Sequence, residues 1–327
     1  MSESGSRVRF VIKSARDPLA EDGPNVIRNL RLCPKRISSV YVYDQVGSEL
    51  FEQQCLTPEY YLRRAETVLL KGHATEIVRR CGDFAVVELG AGTAEKTGIL
   101  LAEYAKRGLR CDYFPIDVDV ETLTAAAHRL AREFPHLYVH CLGGTYEECL
   151  AALPRDGRQR LFLFLGSSLG NMEWPEMHAL LAQIFGHAEP GDYLLVGADL
   201  EKDAGVIDRA YNDAAGFGPR STLNMLTHLN WRYGGDFAME RYAYRSAYNA
   251  GARRNEIRIE SLVKQTVTLR KLGLSVWLGK SEFIDAEVMW KFHPTELTQL
   301  FENARFCPID EWIEPVHRYG LFLLRRQ

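Results

Sequence analysis

Val86-Val87-Glu88-Leu89-Gly90-Ala91-Gly92-Thr93-Ala94-Glu95-Lys96-Thr97 sets a glycine-rich turn between an apolar strand and the start of a helix. Val86, Val87 and Leu89 read as the strand, and Thr97 to Ala102 opens an apolar helix. Gly90 and Gly92 carry no Cβ, so the backbone can turn sharply and a ligand can come close. The same pattern also fits an ordinary tight strand–helix connection. A dinucleotide fingerprint needs a third Gly or Ala where Glu95 stands, because the helix N-terminus must accept a pyrophosphate there. A carboxylate at that point repels phosphate, which argues against a nicotinamide-dependent oxidoreductase. Glu88, two residues before the first glycine, and Lys96 after the loop suit a cationic ligand with a free carboxylate and ammonium. S-adenosylmethionine (SAM) is such a ligand.

The 327 residues, 46% apolar, suffice for one large core or two modest ones. A net charge of -3 gives neither a nucleic-acid footprint nor an acidic tail. The seven cysteines (33, 55, 81, 111, 141, 149 and 307) are odd in number, widely spaced and free of CxxC pairs. Neither a zinc site nor a disulfide framework is expected from them, and a reducing cytoplasm is. Met1 to Arg9 lacks the apolar core of a secretory signal, and Leu161 to Leu165, the longest apolar run, is too short to span a bilayer. The expectation is a cytoplasmic monomer acting on a small molecule, with no metal, nucleic-acid or membrane partner.

After Glu66 the pattern alternates helix and strand. Helices are expected at Thr67 to Arg80, Lys96 to Lys106, Val120 to Glu133, Glu147 to Leu153 and Trp174 to Ala188. Strands are expected at Ala85–Leu89, Cys111 to Ile116, His136 to Leu142, Gln159 to Leu165 and Tyr193 to Val196. That is a doubly wound α/β sheet. Trp290 to Ala304 and Phe306 to Arg326 read as a closing helix and strand. Between them the rhythm changes. Asp203 to Leu229 looks helical with interruptions at Gly216, Gly218 and Pro219, and the chain from Ile257 alternates with period two, as antiparallel strands do. Residues 200–289 therefore read as an inserted substrate-binding α+β domain over the sheet's carboxyl edge, 64–199 plus 290–327 as the ligand-binding domain, and 1–63 as a helical segment contributing to the site.

Asp117 follows the second strand of the nucleotide unit, about 25 residues from the loop and near the roughly 20 expected for a ribose-binding carboxylate. Asp119 reads as the cap of the next helix. Gly166-Ser167-Ser168-Leu169-Gly170-Asn171 follows the strand ending at Leu165, where open α/β sheets hold ligands. Asn171 can offer an amide to a substrate or cap the helix that follows. Tyr60, Tyr61 and Tyr211 sit beside polar residues; packing is the plainer role, and a substrate carboxylate is a partner for a buried phenol. Glu287 lies in an apolar segment, and its plain reading is an exposed strand residue.

Together these pieces resemble the histidine-specific, SAM-dependent Nα-methyltransferases of ergothioneine biosynthesis. The resemblance runs in order over about nine-tenths of the chain. It begins with Tyr43-Asp44-Gln45-Val46-Gly47-Ser48-Glu49-Leu50-Phe51 and Pro58-Glu59-Tyr60-Tyr61, followed by Arg64 and Glu66. It continues through the Glu88–Thr97 loop, Asp117-Val118-Asp119, Phe164-Leu165-Gly166-Ser167 with Gly170-Asn171, Asp199-Leu200, and Lys202-Asp203. Arg209-Ala210-Tyr211, Asp213-Ala214-Ala215-Gly216, Arg258-Ile259-Glu260, Glu287-Val288 and Lys291-Phe292 complete it.

The resemblance implies a Rossmann-like class I methyltransferase sheet. It implies that Gly90, Gly92, Lys96 and Asp117 hold SAM, with Lys96 on its carboxylate and Asp117 on its ribose. Tyr60, Asn171 and Tyr211 would hold the amino and carboxylate groups of an amino acid. Glu287 would face its side chain, and Tyr43 would lie near the transfer site. Three positions depart from the pattern. Met289 stands where the family has a Ser that helps Glu bind imidazole, Ser261 where an apolar Met is expected, and Thr145, followed by Tyr146, where an Asp lies near adenine. Ser261 is expected to return the hydroxyl lost at Met289, or else the pair marks another substrate. The implied reaction is methylation of an amino acid's α-amino group, first of all that of L-histidine to its trimethyl betaine. A tryptophan- or tyrosine-like acceptor and a non-catalytic SAM-binding protein are the alternatives.

Overall fold

The computed structural model describes residues 7–12, 19 and 21–327. Two compact units emerge. One contains Arg64–Leu200, Phe292–Gln327 and the described residues up to Ile12; the other contains Leu19–Arg63 and Glu201–Lys291. Residues 1–63 therefore do not form one helical segment. Val8–Ile12 is a strand of the first unit, and Leu19–Arg63 joins the inserted region. The Met1 to Arg9 stretch read for a leader lies mostly outside the described residues.

The first unit is built on eight strands: β1 (Val8–Ile12), β3 (Ala85–Leu89), β4 (Cys111–Asp117), β5 (Leu137–Gly143), β6 (Arg160–Phe164), β7 (Tyr193–Asp199), β13 (Phe306–Glu314) and β14 (Tyr319–Arg326). The remaining strands belong to the second unit. The sheet order is β1-β5-β4-β3-β6-β7-β14-β13, parallel except for β14, which enters antiparallel between β7 and β13. This is the expected Rossmann-like sheet. β3 and β6 are buried along their whole length, which is why they read as nearly continuous apolar runs, interrupted only by Glu88 and Arg160. The helices are α3 (Leu62–Cys81), α4 (Glu95–Lys106), α5 (Val120–Glu133), α6 (Tyr146–Ala151), α7 (Trp174–His187) and α10 (Pro294–Asn303). The strand order reverses between β3 and β6. The loops leaving their carboxyl ends, at Gly90 and Gly166, thus lie at the switch point where such sheets hold ligands.

Two closing elements differ from the sequence reading. Trp290 ends a strand, and α10 starts at Pro294, whose missing N–H and fixed φ suit the first helical position. Phe306 to Arg326 is a hairpin. It turns because the Glu314 carboxylate accepts the N–H groups of Val316 (3.1 Å) and His317 (2.6 Å).

The second unit holds α1 (Gly23–Leu30), α2 (Gln45–Cys55), α8 (Ala204–Tyr211) and α9 (Phe217–Tyr233). Its sheet orders β2 (Lys35–Arg36), β12 (Phe283–Trp290), β9 (Arg254–Ser261) and β8 (Tyr242–Asn249), beside the hairpin β10 (Gln265–Leu269) and β11 (Leu274–Leu278). Asn255, Ile257, Ile259 and Ser261 bury one face of β9. The other face carries ion pairs, Arg258 with Asp285 at 3.0 Å and Arg245 with Glu260 at 2.7 Å. The helical stretch expected over Asp203 to Leu229 divides at Gly216, and Asp213 starts α9 by accepting the N–H groups of Phe217 and Gly218, both at 2.8 Å. Among the described residues no helix is long and apolar enough to cross a membrane.

Candidate active site

The glycine loop of the first unit is held from below and from one side. Gly90 and Gly92 both take left-handed φ, +69° and +50°. A Cβ on Gly90 would stand 2.9 Å from the Tyr146 hydroxyl, so only glycine leaves the cradle open there. Beneath the loop Glu88 is buried and accepts the hydroxyls of Thr97 (2.6 Å) and Tyr113. Burial pushes the Glu88 carboxyl up to about 7, against the pull of those two bonds. At the end of β4, Asp117 accepts Gly92 N–H at 2.8 Å and Asp119 N–H at 2.9 Å. Burial raises its pKa while these bonds lower it. Asp117 thus fixes the loop with one lone pair on each oxygen and keeps the others for a ligand. Asp119 is the helix cap, accepting Thr122 N–H at 3.0 Å.

Lys96 does not stand alone. Its ammonium meets Glu66 at 2.5 Å, and the fully buried Glu66 also accepts Gly166 N–H (2.8 Å) and the Tyr319 hydroxyl (2.8 Å). An ammonium has three donors, so this bond leaves capacity for a ligand carboxylate. Glu66 ties the loop after β6 to the cation of α4. The sequence shows Glu66 only within a motif, because the pairing links positions far apart in the chain.

Thr145 and Tyr146 part company. Thr145 is exposed and caps α6, its hydroxyl accepting Glu148 N–H at 3.3 Å and meeting the Glu148 carboxylate at 2.9 Å. Tyr146 turns inward, its ring edge-on to Phe164 at 6.2 Å and its hydroxyl beside Gly90. Asn171 does not cap α7. Glu173 takes that position, its N–H donating to the Glu176 carboxylate at 2.8 Å. Among the described residues the Asn171 amide makes no hydrogen bond.

The second unit gathers the tyrosines into an edge-on aromatic row. Centroids run Tyr43–Phe51 at 6.4 Å, Phe51–Tyr60 at 6.0 Å and Tyr60–Tyr211 at 6.1 Å. Tyr43 is exposed at one end, and Tyr60 and Tyr211 are buried. Tyr211 ends α8. Its hydroxyl accepts from the buried Lys291 at 2.7 Å, and its carbonyl accepts the Tyr244 hydroxyl at 2.6 Å. Tyr61 is separate from the row and bonds Lys202 at 2.8 Å.

Glu287 is not an exposed strand residue. β12 slips register between Asp285, opposite Arg258, and Glu287, opposite Ile257, so Ala286 is the extra residue of a bulge. The bulge sends Asp285 and Glu287 to opposite faces although they are two apart, and Glu287 joins the buried face. There burial pushes its carboxyl up to about 7, with Thr222 of α9 as the polar neighbour that draws it down. Met289 lies on the same face, opposite Asn255. Ser261 does not meet either residue. It sits four positions along β9 from Ile257, about 13 Å at the strand rise. Its buried hydroxyl donates to Val263 O (2.9 Å) and accepts from Gln265 Nε2 (2.8 Å). The expected hydroxyl exchange is therefore overturned: Ser261 fastens a turn, and the residue beside Glu287 is Ile257.

Comparison with known proteins gives the family. A family model described as histidine-specific, SAM-dependent methyltransferase matches residues 21–326. The chain is 35% identical over 299 residues to the histidine N-alpha-methyltransferase of Mycobacterium tuberculosis, covering 91% of this chain and 93% of that protein. It is 34% identical over 313 residues to the protein of the same name from Mycolicibacterium smegmatis, covering 96% of each. Against the N-methyltransferase fsqC of Aspergillus fumigatus it is 29% identical over 308 residues, covering 91% of this chain and 81% of the other.

Proposed function

The chain belongs to the histidine-specific, SAM-dependent methyltransferase family, and from that premise we propose that it methylates the α-amino group of L-histidine through to the trimethyl betaine. The observation that carries the acceptor is Glu287, a carboxyl that the register sets opposite Ile257 on the inner sheet face and that burial raises to about 7. An imidazole of pKa about 6.5 can share a proton with such a group. An indole or phenol lacks that match.

SAM supplies the electrophilic methyl group when bound. Gly90 and Gly92 keep the cradle open, Asp117 offers its remaining lone pairs to the ribose, and Lys96 holds the carboxylate. Tyr60, Tyr211 and Asn171 orient the substrate's amino and carboxylate groups, with Tyr43 near the reacting nitrogen. The α-ammonium has a pKa of about 8, so part of it is neutral near pH 7 and no strong base is required. Alignment is what the residues contribute, and good alignment can lower a barrier by roughly 7–11 kcal/mol. Three transfers require that the amine clamp admit one and then two methyl groups. We place the reaction in the cytoplasm, in keeping with the odd, unclustered cysteines.

The test is mass spectrometry of the protein incubated with SAM and each of the twenty amino acids separately. Histidine heavier by three methyl groups is the expected product. A product that stops at one methyl overturns the betaine, and turnover of another amino acid alone overturns histidine as the acceptor.

A further inference from the structure

Met289 leaves the side-chain site one polar group short, since a thioether cannot donate a hydrogen bond and accepts only weakly. The sheet register supplies a replacement. Asn255 stands directly opposite Met289 on β9, on the same face as Glu287, and is fully buried. Among the described residues its amide bonds a single group, the Ser246 hydroxyl, with Nδ2 donating at 2.9 Å and Oγ donating back to Oδ1 at 3.3 Å. A primary amide has two N–H donors and an acceptor with two lone pairs, so one N–H and one lone pair stay uncommitted in a buried side chain. Leaving such groups unpaired away from water is unfavourable, and a ligand that pairs them is correspondingly favoured.

Placement selects the ligand. Ile257 lies between Glu287 on β12 and Ser246 on β8, in register with both. Asn255 is the diagonal neighbour of Glu287, and diagonal cross-strand positions lie about 7–8 Å apart. A Glu and an Asn side chain on one face at that spacing can both touch a small ring lying over Ile257. We propose that Asn255, backed by Ser246, is the second recognition group for the substrate side chain, its amide reading one imidazole nitrogen while Glu287 reads the other. This rests on histidine being the acceptor. An amide both donates and accepts, so it serves whichever ring nitrogen carries the proton. An apolar ring leaves the amide unpaired, and sites that lose a polar partner reject the analogue far more strongly than sites that lose a methylene.

The experiment compares the parent, Asn255→Leu, Asn255→Ser and the double variant Asn255→Leu/Met289→Ser. Each is assayed with L-histidine, with the two ring-N-methylated histidines and with L-phenylalanine, alongside a thermal melt. The parent is expected to methylate histidine and to reject one ring-methylated isomer. Asn255→Leu and Asn255→Ser are expected to raise the histidine KM about tenfold or more with little change in kcat, and to lose that isomer discrimination. Adding Met289→Ser to Asn255→Leu is expected to recover part of the affinity. If Asn255→Leu does not fold, Asn255→Ser decides. An unchanged histidine KM, or an equal loss on every amino acid with discrimination intact, overturns the role of Asn255. A parent inactive on histidine overturns the acceptor reading itself, and shows this before any variant is made.

Discussion

The strand under the glycine loop and the small sheet of the second unit each carry one desolvated carboxylate, Glu88 buried and Glu287 half-buried, and the two are committed differently. Glu88 and Glu287 are both raised to about 7 by burial. Glu88 accepts two protein hydroxyls and sits at 3% exposure beneath the loop. Glu287 has Thr222 as its polar neighbour, on a face that also carries Met289 and Asn255. A raised pKa therefore marks burial, and the count of committed lone pairs separates a carboxylate that shapes the fold from one that can read a ligand.

The largest effect that can break this contrast is expected at Glu88. Glu88→Leu strands the Thr97 hydroxyl and the buried Tyr113 phenol, at about 1–3 kcal/mol each. A denaturant melt should therefore lose roughly 2–6 kcal/mol of stability. The histidine KM of the folded fraction should stay within about twofold, since this variant leaves Glu287 and its neighbours on β9 unchanged. Loss of histidine affinity without loss of stability would reverse the assignment of the two carboxylates.

Glu287→Gln tests the other member. The Glu287 carboxyl titrates at about 7 in the folded protein against 4.5 in the open chain, so between those values the folded state holds the extra proton. That contribution to stability is fully present below 4.5 and is lost as pH rises through about 7. Glu287→Gln should remove this loss, leaving a protein more stable than the parent above pH 7 by roughly 3 kcal/mol, with a flatter stability profile. Histidine binding should weaken at the same time by about 1.5–3 kcal/mol, the scale of a charge-assisted hydrogen bond. A melt that keeps the parent's pH slope would show that Glu287 is not held protonated by burial.

Thr145→Ala is expected to do least. Its hydroxyl is committed to the α6 cap, so the change should cost about 1 kcal/mol of stability. The KM for SAM should move little, and a large rise would place Thr145 in the cofactor site after all.

Much of the first unit was legible in the chain because its signals are local. An apolar run, two glycines and an amphipathic stretch specify a strand, a turn and a helix wherever they fold, and Asp117 marks the next strand end at a fixed separation. The hairpin over Phe306 to Arg326 was not legible, because Glu314 makes the turn with a side chain that replaces the usual Gly or Asn signal.

By itself, the sequence determined the methyltransferase sheet and the glycine turn between β3 and α4, since each strand, turn and helix lies in a contiguous motif whose backbone geometry follows from its own residues. Only the tertiary structure decided which side chains stand beside Glu287. The neighbours of a strand residue belong to other strands, and register sets them. The single extra residue at Ala286 reverses the face that Glu287 occupies, setting Ile257 opposite it and bringing Asn255 alongside while Ser261 closes a distant turn.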